Sequence, residues 1–60
     1  MHKHIYRLYR TAGGTRRLLV VLVMDAEATR PQLIAAAHAR FGICRDLTET
    51  AEIEHRAVAV

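Results

Sequence analysis

The sequence predicts a single α+β domain over residues 1–60, with the element order ββαβ. In this fold a small, mostly antiparallel three-stranded sheet has one helix packed on one face. Three observations predict it. Two β-favouring segments flank a Gly-Gly pair, one helix-like segment with clear end signals follows, and the last residues alternate in polarity.

The first two strands are predicted as a hairpin. Residues 4–11 are rich in aromatic and β-favouring side chains, and residues 16–24 are continuously apolar after two arginines. Gly13 and Gly14 lie between them, and glycine tolerates the positive φ of a tight turn. A continuous apolar run is typical of a strand that is covered on both faces.

A helix is predicted over residues 29–42. Thr29 or Arg30 lies near its N-cap, Pro31 occupies the first turn, and Gly42 ends it. At 100° per residue, one arc of about 100° forms the core-facing stripe. Its members are Leu33, Ile34, Ala37 and Phe41.

Residues 43–49 are predicted to form a loop and residues 50–60 the last strand. Two strand orders are compatible with this pattern. Opposite charges on the first and last strands favour pairing these two, which leaves the second strand at an edge. Alternatively, the second strand is central and lies beside a parallel third strand through a right-handed crossover. Either order leaves an apolar area uncovered.

The charge is divided along the chain. Residues 1–24 contain five basic and no acidic side chains, whereas residues 25–60 contain four basic and six acidic ones, a net charge of −2. This division suggests a face for an anionic partner, or two complementary surfaces that meet in an oligomer.

Several classes of function are not expected. The single cysteine, Cys44, excludes an internal disulfide and, with no secretory apolar segment, indicates a cytoplasmic setting. The longest apolar run, residues 18–24, is far shorter than the roughly 20 residues of a membrane span, so no membrane partner is expected.

No catalytic, cofactor-binding or metal-binding residues are predicted, and the chain is interpreted as a non-enzymatic binding protein. His2 and His4 share a strand face but are interpreted as a solvated pair, because His38 and His55 have no partner at a ligand spacing. Glu52 and Glu54 are interpreted as a solvated strand face, because so small a domain has little room for a water-excluding pocket.

The basic hairpin is a candidate surface for a protein partner or for nucleic acid. It combines cations that bind phosphate with rings that stack on bases. A dimeric nucleic-acid-binding protein that uses this hairpin is the alternative function. The candidate residues are Lys3, Tyr6, Arg7, Tyr9, Arg10, Arg16 and Arg17.

A homodimer is predicted because one helix covers only one face of the apolar second strand. A domain of this length gains little stability from its own core, which favours burial of the other face. The alternative is that the long side chains of Lys3 and Arg7, with Tyr9, shield that face within one protomer. The predicted interface residues are Leu19, Val20, Val21 and Val23.

The chain resembles small phage and mobile-element proteins that block host defence, of which anti-CRISPR proteins are the best known. The resemblance lies in the architecture: an N-terminal hairpin, a short helix from about residue 28 to Gly42, and a terminal strand within 60 residues. It carries no residue-level motif. It implies a compact inhibitor that occludes a protein or nucleic-acid surface on a host nucleoprotein complex such as a CRISPR effector.

Overall fold

The computed structural model describes all residues from Met1 to Val60. It contains five elements, which are β1 (His2–Ala12), β2 (Thr15–Met24), α1 (Arg30–Phe41), α2 (Arg45–Glu49) and β3 (Glu52–Ala59). The α+β fold is therefore confirmed. The prediction of a loop over residues 43–49 is wrong in one respect, because five of these residues form the short helix α2, which packs against α1 and β1.

The sheet is antiparallel throughout, with the strand order β2-β1-β3. Of the two orders that the sequence allowed, the one with β2 at an edge is correct, and the parallel crossover is wrong. The charge pattern explains the choice, since Arg7 of β1 lies directly opposite Glu54 of β3. Both β2 and β3 are edge strands.

The hairpin has a tight two-residue turn and an irregular ladder. Gly13 and Gly14 have φ of 58° and 78°, as in the turns whose twist matches that of the flanking strands. Leu8 pairs with Val20 but the next residue of β1 pairs with Leu18, so the pairing shifts by one residue. The extra residue, Leu19, forms a β-bulge.

Local hydrogen bonds set the limits of α1. The Gln32 N–H donates to the hydroxyl oxygen of Thr29 at 3.4 Å, and the Thr29 N–H donates to the Gln32 side-chain oxygen at 2.9 Å, which completes a capping box. At the other end Gly42 has φ of 67°, and its N–H donates to the His38 carbonyl at 3.0 Å. These contacts confirm the predicted helix and its end signals.

The core lies between the sheet and the two helices. Thr48 of α2 is also buried there, and its hydroxyl donates to the Arg45 carbonyl at 3.1 Å. Phe41 is 57% exposed, so its predicted place in the core-facing stripe is wrong. The seven buried apolar residues are Tyr6, Leu8, Val20, Leu22, Leu33, Ala37 and Ala51.

Arg30 joins the start of α1 to the end of α2. Its guanidinium donates to the backbone carbonyls of Ala51 at 2.7 Å and Glu49 at 3.3 Å. Carbonyls at the end of a helix lack partners within the helix, and a cation there satisfies them. This contact holds α2 and the first residues of β3 against α1.

Candidate interaction surfaces of the sheet

The sheet has one face that the helices do not cover, which we call the open face. The register aligns side chains across it in rows that run from β2 over β1 to β3. The β2 side of these rows is apolar and the β3 side is charged. The rows are Val23, Ile5 and Arg56; Val21, Arg7 and Glu54; and Leu18, Tyr9 and Glu52.

The apolar side forms a continuous row on the edge strand. Leu18, Val21 and Val23 are 52%, 38% and 52% exposed, and we call them the apolar edge patch. Exposed apolar residues are common singly, but a row beside the free backbone of an edge strand is a favourable surface for another chain. Their neighbours on β1 are half-buried.

The charged side is an ion-pair network that includes Arg16. The Arg16 guanidinium lies over the Tyr9 ring, 3.6 Å from its centroid. It also lies 3.3 Å from the Glu52 carboxylate and 3.4 Å from that of Glu54, which Arg7 approaches at 3.6 Å. These side chains are about a third to two-thirds exposed, so each pair contributes little to stability. Together they cover Tyr9 and the hairpin end of the open face.

Lys3 forms a further ion pair with Asp25 at the opposite end of this face. The Lys3 ammonium donates a hydrogen bond to the Asp25 carboxylate, and this bond, with the attraction between the two charges, holds the pKa of Asp25 below its usual value. The charge of Arg40 acts in the same direction but less strongly. The Asp25 side chain is 87% exposed, so salt screens the pair.

The structure separates the four residues predicted for a dimer interface. Val21 and Val23 lie on the open face and are exposed. Val20 is only 7% exposed and belongs to the core, so its assignment to an interface is wrong. Leu19 is half-buried against the core. Alternation along β2 sends Val20 and Val21 to opposite faces, and the bulge places Leu18 rather than Leu19 beside Tyr9.

The predicted basic surface is also divided. Tyr6 is 4% exposed, and its hydroxyl oxygen accepts a hydrogen bond from the Ala28 N–H at 2.9 Å, so its ring cannot stack on a base as predicted. Lys3, Arg7 and Arg16 contact carboxylates. Two of the predicted basic residues contact no acid, and they form a directly opposed cross-strand pair near the hairpin turn. This pair is Arg10 and Arg17.

One pair of side chains was not anticipated from the sequence. His4 Nδ1 and His55 Nε2 are 2.9 Å apart, although the residues are 51 positions apart in the chain. No sequence spacing reveals such a pair. It follows only from the antiparallel pairing of β1 with β3, which places Tyr6 opposite His55 and His4 one step along the same face.

Neither helix has the length and apolar composition needed to cross a membrane. Comparison of the chain with protein-family models, with curated proteins and with solved structures finds no match.

Proposed function

We propose that the chain is a non-enzymatic binding protein that pairs with a second copy through the apolar edge patch. The observation that carries the proposal is the exposed row of Leu18, Val21 and Val23 on an edge strand. Complete burial of a large apolar side chain contributes about 1.5–3 kcal/mol. Because the core contains only seven buried apolar residues, burial of the patch adds a large fraction to the free energy of unfolding of this domain.

The charges that flank the patch favour a second copy as the occupant. Arg17 lies at the start of β2 and Glu27 follows its end, and neither contacts an opposite charge within the chain. A two-fold axis that places two β2 strands antiparallel brings the basic end of each near the acidic end of the other. The same patch can therefore be buried on both copies with opposite charges in proximity.

The oligomeric state tests the proposal. Light scattering from micromolar to high micromolar concentration is expected to show a dimer, and Val21→Glu is expected to give a monomer. Ala39→Glu is the matched control, because Ala39 is exposed on α1, on the opposite side of the sheet from the patch. A wild-type chain that stays monomeric over this range contradicts the dimer, and the patch is then assigned to a different protein.

The proposal extends to the target molecule that the dimer binds. A dimer through β2 leaves Arg10, which is exposed on the central strand β1, free to bind an acidic surface. In keeping with the resemblance to host-defence inhibitors, we propose a host nucleoprotein complex such as a CRISPR effector as the target. A purified effector that binds the wild-type chain but not an Arg10→Gln variant that remains dimeric supports this target, and equal binding by both contradicts it.

Direct binding of nucleic acid is the second candidate, favoured by the absence of a carboxylate contact at Arg10 and Arg17. Two neutralised phosphates predict a log–log dependence of affinity on salt with a slope of about −1.4 to −1.8. The double glutamine variant is expected to abolish this slope, and Arg45→Gln, which removes an exposed cation of α2, to preserve it. Affinity that does not change with salt contradicts this candidate.

A further inference from the structure

His4 and His55 face each other on the helix-side face of the sheet, at an end that the helices do not cover. His4 is half-buried and His55 is exposed. His4 Nδ1 and His55 Nε2 are 2.9 Å apart, and the ring centroids are 5.1 Å apart with 28° between the planes. The two imidazoles therefore meet head-on in one hydrogen bond between ring nitrogens.

This hydrogen bond depends on the protonation of both rings. A neutral imidazole has one N–H donor and one acceptor nitrogen, so one ring donates and the other accepts. One added proton keeps the bond, because an imidazolium donates to the remaining neutral ring, and such charge-assisted bonds are stronger than neutral ones. A second added proton removes the acceptor and leaves two cations with facing nitrogens. The bonded pair is therefore compatible with no added proton or with one, but not with two.

The surroundings of the pair supply no negative charge to offset a second proton. Neither ring forms an ion pair with a carboxylate. Met24 of β2 lies opposite His4, and the Arg40 guanidinium of α1 donates to the Met24 sulfur at 3.8 Å, so α1 contributes a cation on that side. The other titratable neighbours on this face are His2 and Tyr6 of β1, and its remaining β3 residues are apolar.

The core limits the freedom of His55 to turn away from His4. The His55 ring stacks on Tyr6, with centroids 4.4 Å apart and 8° between the planes. Tyr6 is itself buried. Rotation of a protonated His55 away from His4 therefore breaks this stack, and the alternative is movement of β3 away from β1.

The end of β3, residues 55–59, is a part of the sheet that can open locally. β3 is an edge strand that pairs with β1 alone. On the helix-side face, Ala57 and Ala59 follow His55, and both are exposed. Segments with little buried apolar surface open at a small cost in free energy. The contact between His4 and His55 is thus an important link between this end and β1.

We propose that the His4–His55 pair is a pH-sensitive contact that holds the end of β3 on β1 in neutral solution and releases it in acid. The sign follows from the number of bound protons. Well below the ordinary histidine pKa of about 6.5, the unfolded chain binds a proton at both residues, whereas the hydrogen-bonded pair holds at most one. Stability rises with pH wherever the unfolded state binds more protons, so the contribution of the pair is lost as the pH falls.

A double-mutant cycle in urea, measured at about pH 7.5 and about pH 4.5, tests the contact. The variants are His4→Val, His55→Phe, which keeps a ring on Tyr6, and the double variant. The cycle isolates the pair because the titration of distant groups cancels. At the higher pH the pair should lower the unfolding equilibrium constant by about 2–10-fold. At the lower pH, keeping one ring neutral costs a factor of about 100, so the coupling should vanish or reverse.

The matched control is a cycle between His2→Val and His55→Phe, which should show no coupling at either pH. His2 lies on the same face of β1, two residues from His4, but does not contact His55. A coupling between His4 and His55 that is equal at both pH values overturns the proposal.

The amide NMR spectrum of the full chain locates the change. In the wild type, the amide shifts of Ala57, Val58 and Ala59 should move towards unfolded values at about pH 4.5, while those of α1 keep their folded values. In the double variant these shifts should be the same at both pH values. If the end of β3 remains paired in the acidified wild type, the proposal is wrong, and this spectrum decides the matter even if a variant fails to fold.

Discussion

The Tyr6 hydroxyl oxygen accepts a hydrogen bond from the Ala28 N–H at 2.9 Å, which fixes the segment between β2 and α1 to the central strand. Tyr6→Phe removes the acceptor and leaves a partly buried N–H without a partner. The free energy of unfolding is expected to fall by about 1–3 kcal/mol, measured by urea denaturation. Tyr9→Phe is the control, because the Tyr9 hydroxyl makes no such bond, and an equal loss in both variants would contradict the assigned role.

Val20 and Val21 are adjacent in the chain but lie on opposite faces, so glutamate at each position should have a different effect. Val20→Glu places a carboxylate in the core and is expected to cost more than about 3 kcal/mol. A domain of this length has a free energy of unfolding of only about 3–9 kcal/mol, so this variant should be largely unfolded. Val21→Glu should retain a folded far-UV circular dichroism spectrum. Equal unfolding of both variants would contradict the assignment of faces.

The Lys3–Asp25 pair predicts a pH dependence of stability. The pKa of Asp25 is lower in the folded chain than in the unfolded one, so the pair stabilises the fold above the ordinary Asp pKa of about 3.9. This contribution is lost as the pH falls from there through the folded value. Lys3→Gln should raise the pKa of Asp25 in an NMR titration, and Lys3→Arg should keep it low. If the pKa of Asp25 is unchanged in Lys3→Gln, charges other than Lys3 lower it.

Arg30 should contribute to stability through its contacts with the Glu49 and Ala51 carbonyls. Arg30→Ala leaves both without this charged donor and is expected to lower the free energy of unfolding by about 1–2 kcal/mol in chemical denaturation. Arg45→Ala is the matched control, because Arg45 is exposed and its side chain donates to no carbonyl. The role assigned to Arg30 is wrong if the two variants are equally stable.

The limits of the elements could be predicted because their signals are local. Gly13 and Gly14 adopt the positive φ that their sequence position suggested, and Thr29 and Gly42 cap α1 as predicted. Each of these features depends on contacts within a few residues. The helix α2 was missed because five residues are too few for a periodic pattern and its N-cap, Cys44, makes no side-chain capping bond.

The sequence by itself determined the α+β class, the hairpin, the main helix and the surplus of apolar side chains on β2. Only the tertiary structure decided which of these side chains are exposed, because the bulge at Leu19 changes the pairing of β2 within the strand. It also decided that carboxylates of β3 pair with Arg7 and Arg16, and that His4 meets His55. These contacts join residues up to 51 positions apart, and their geometry exists only once the strand order is fixed.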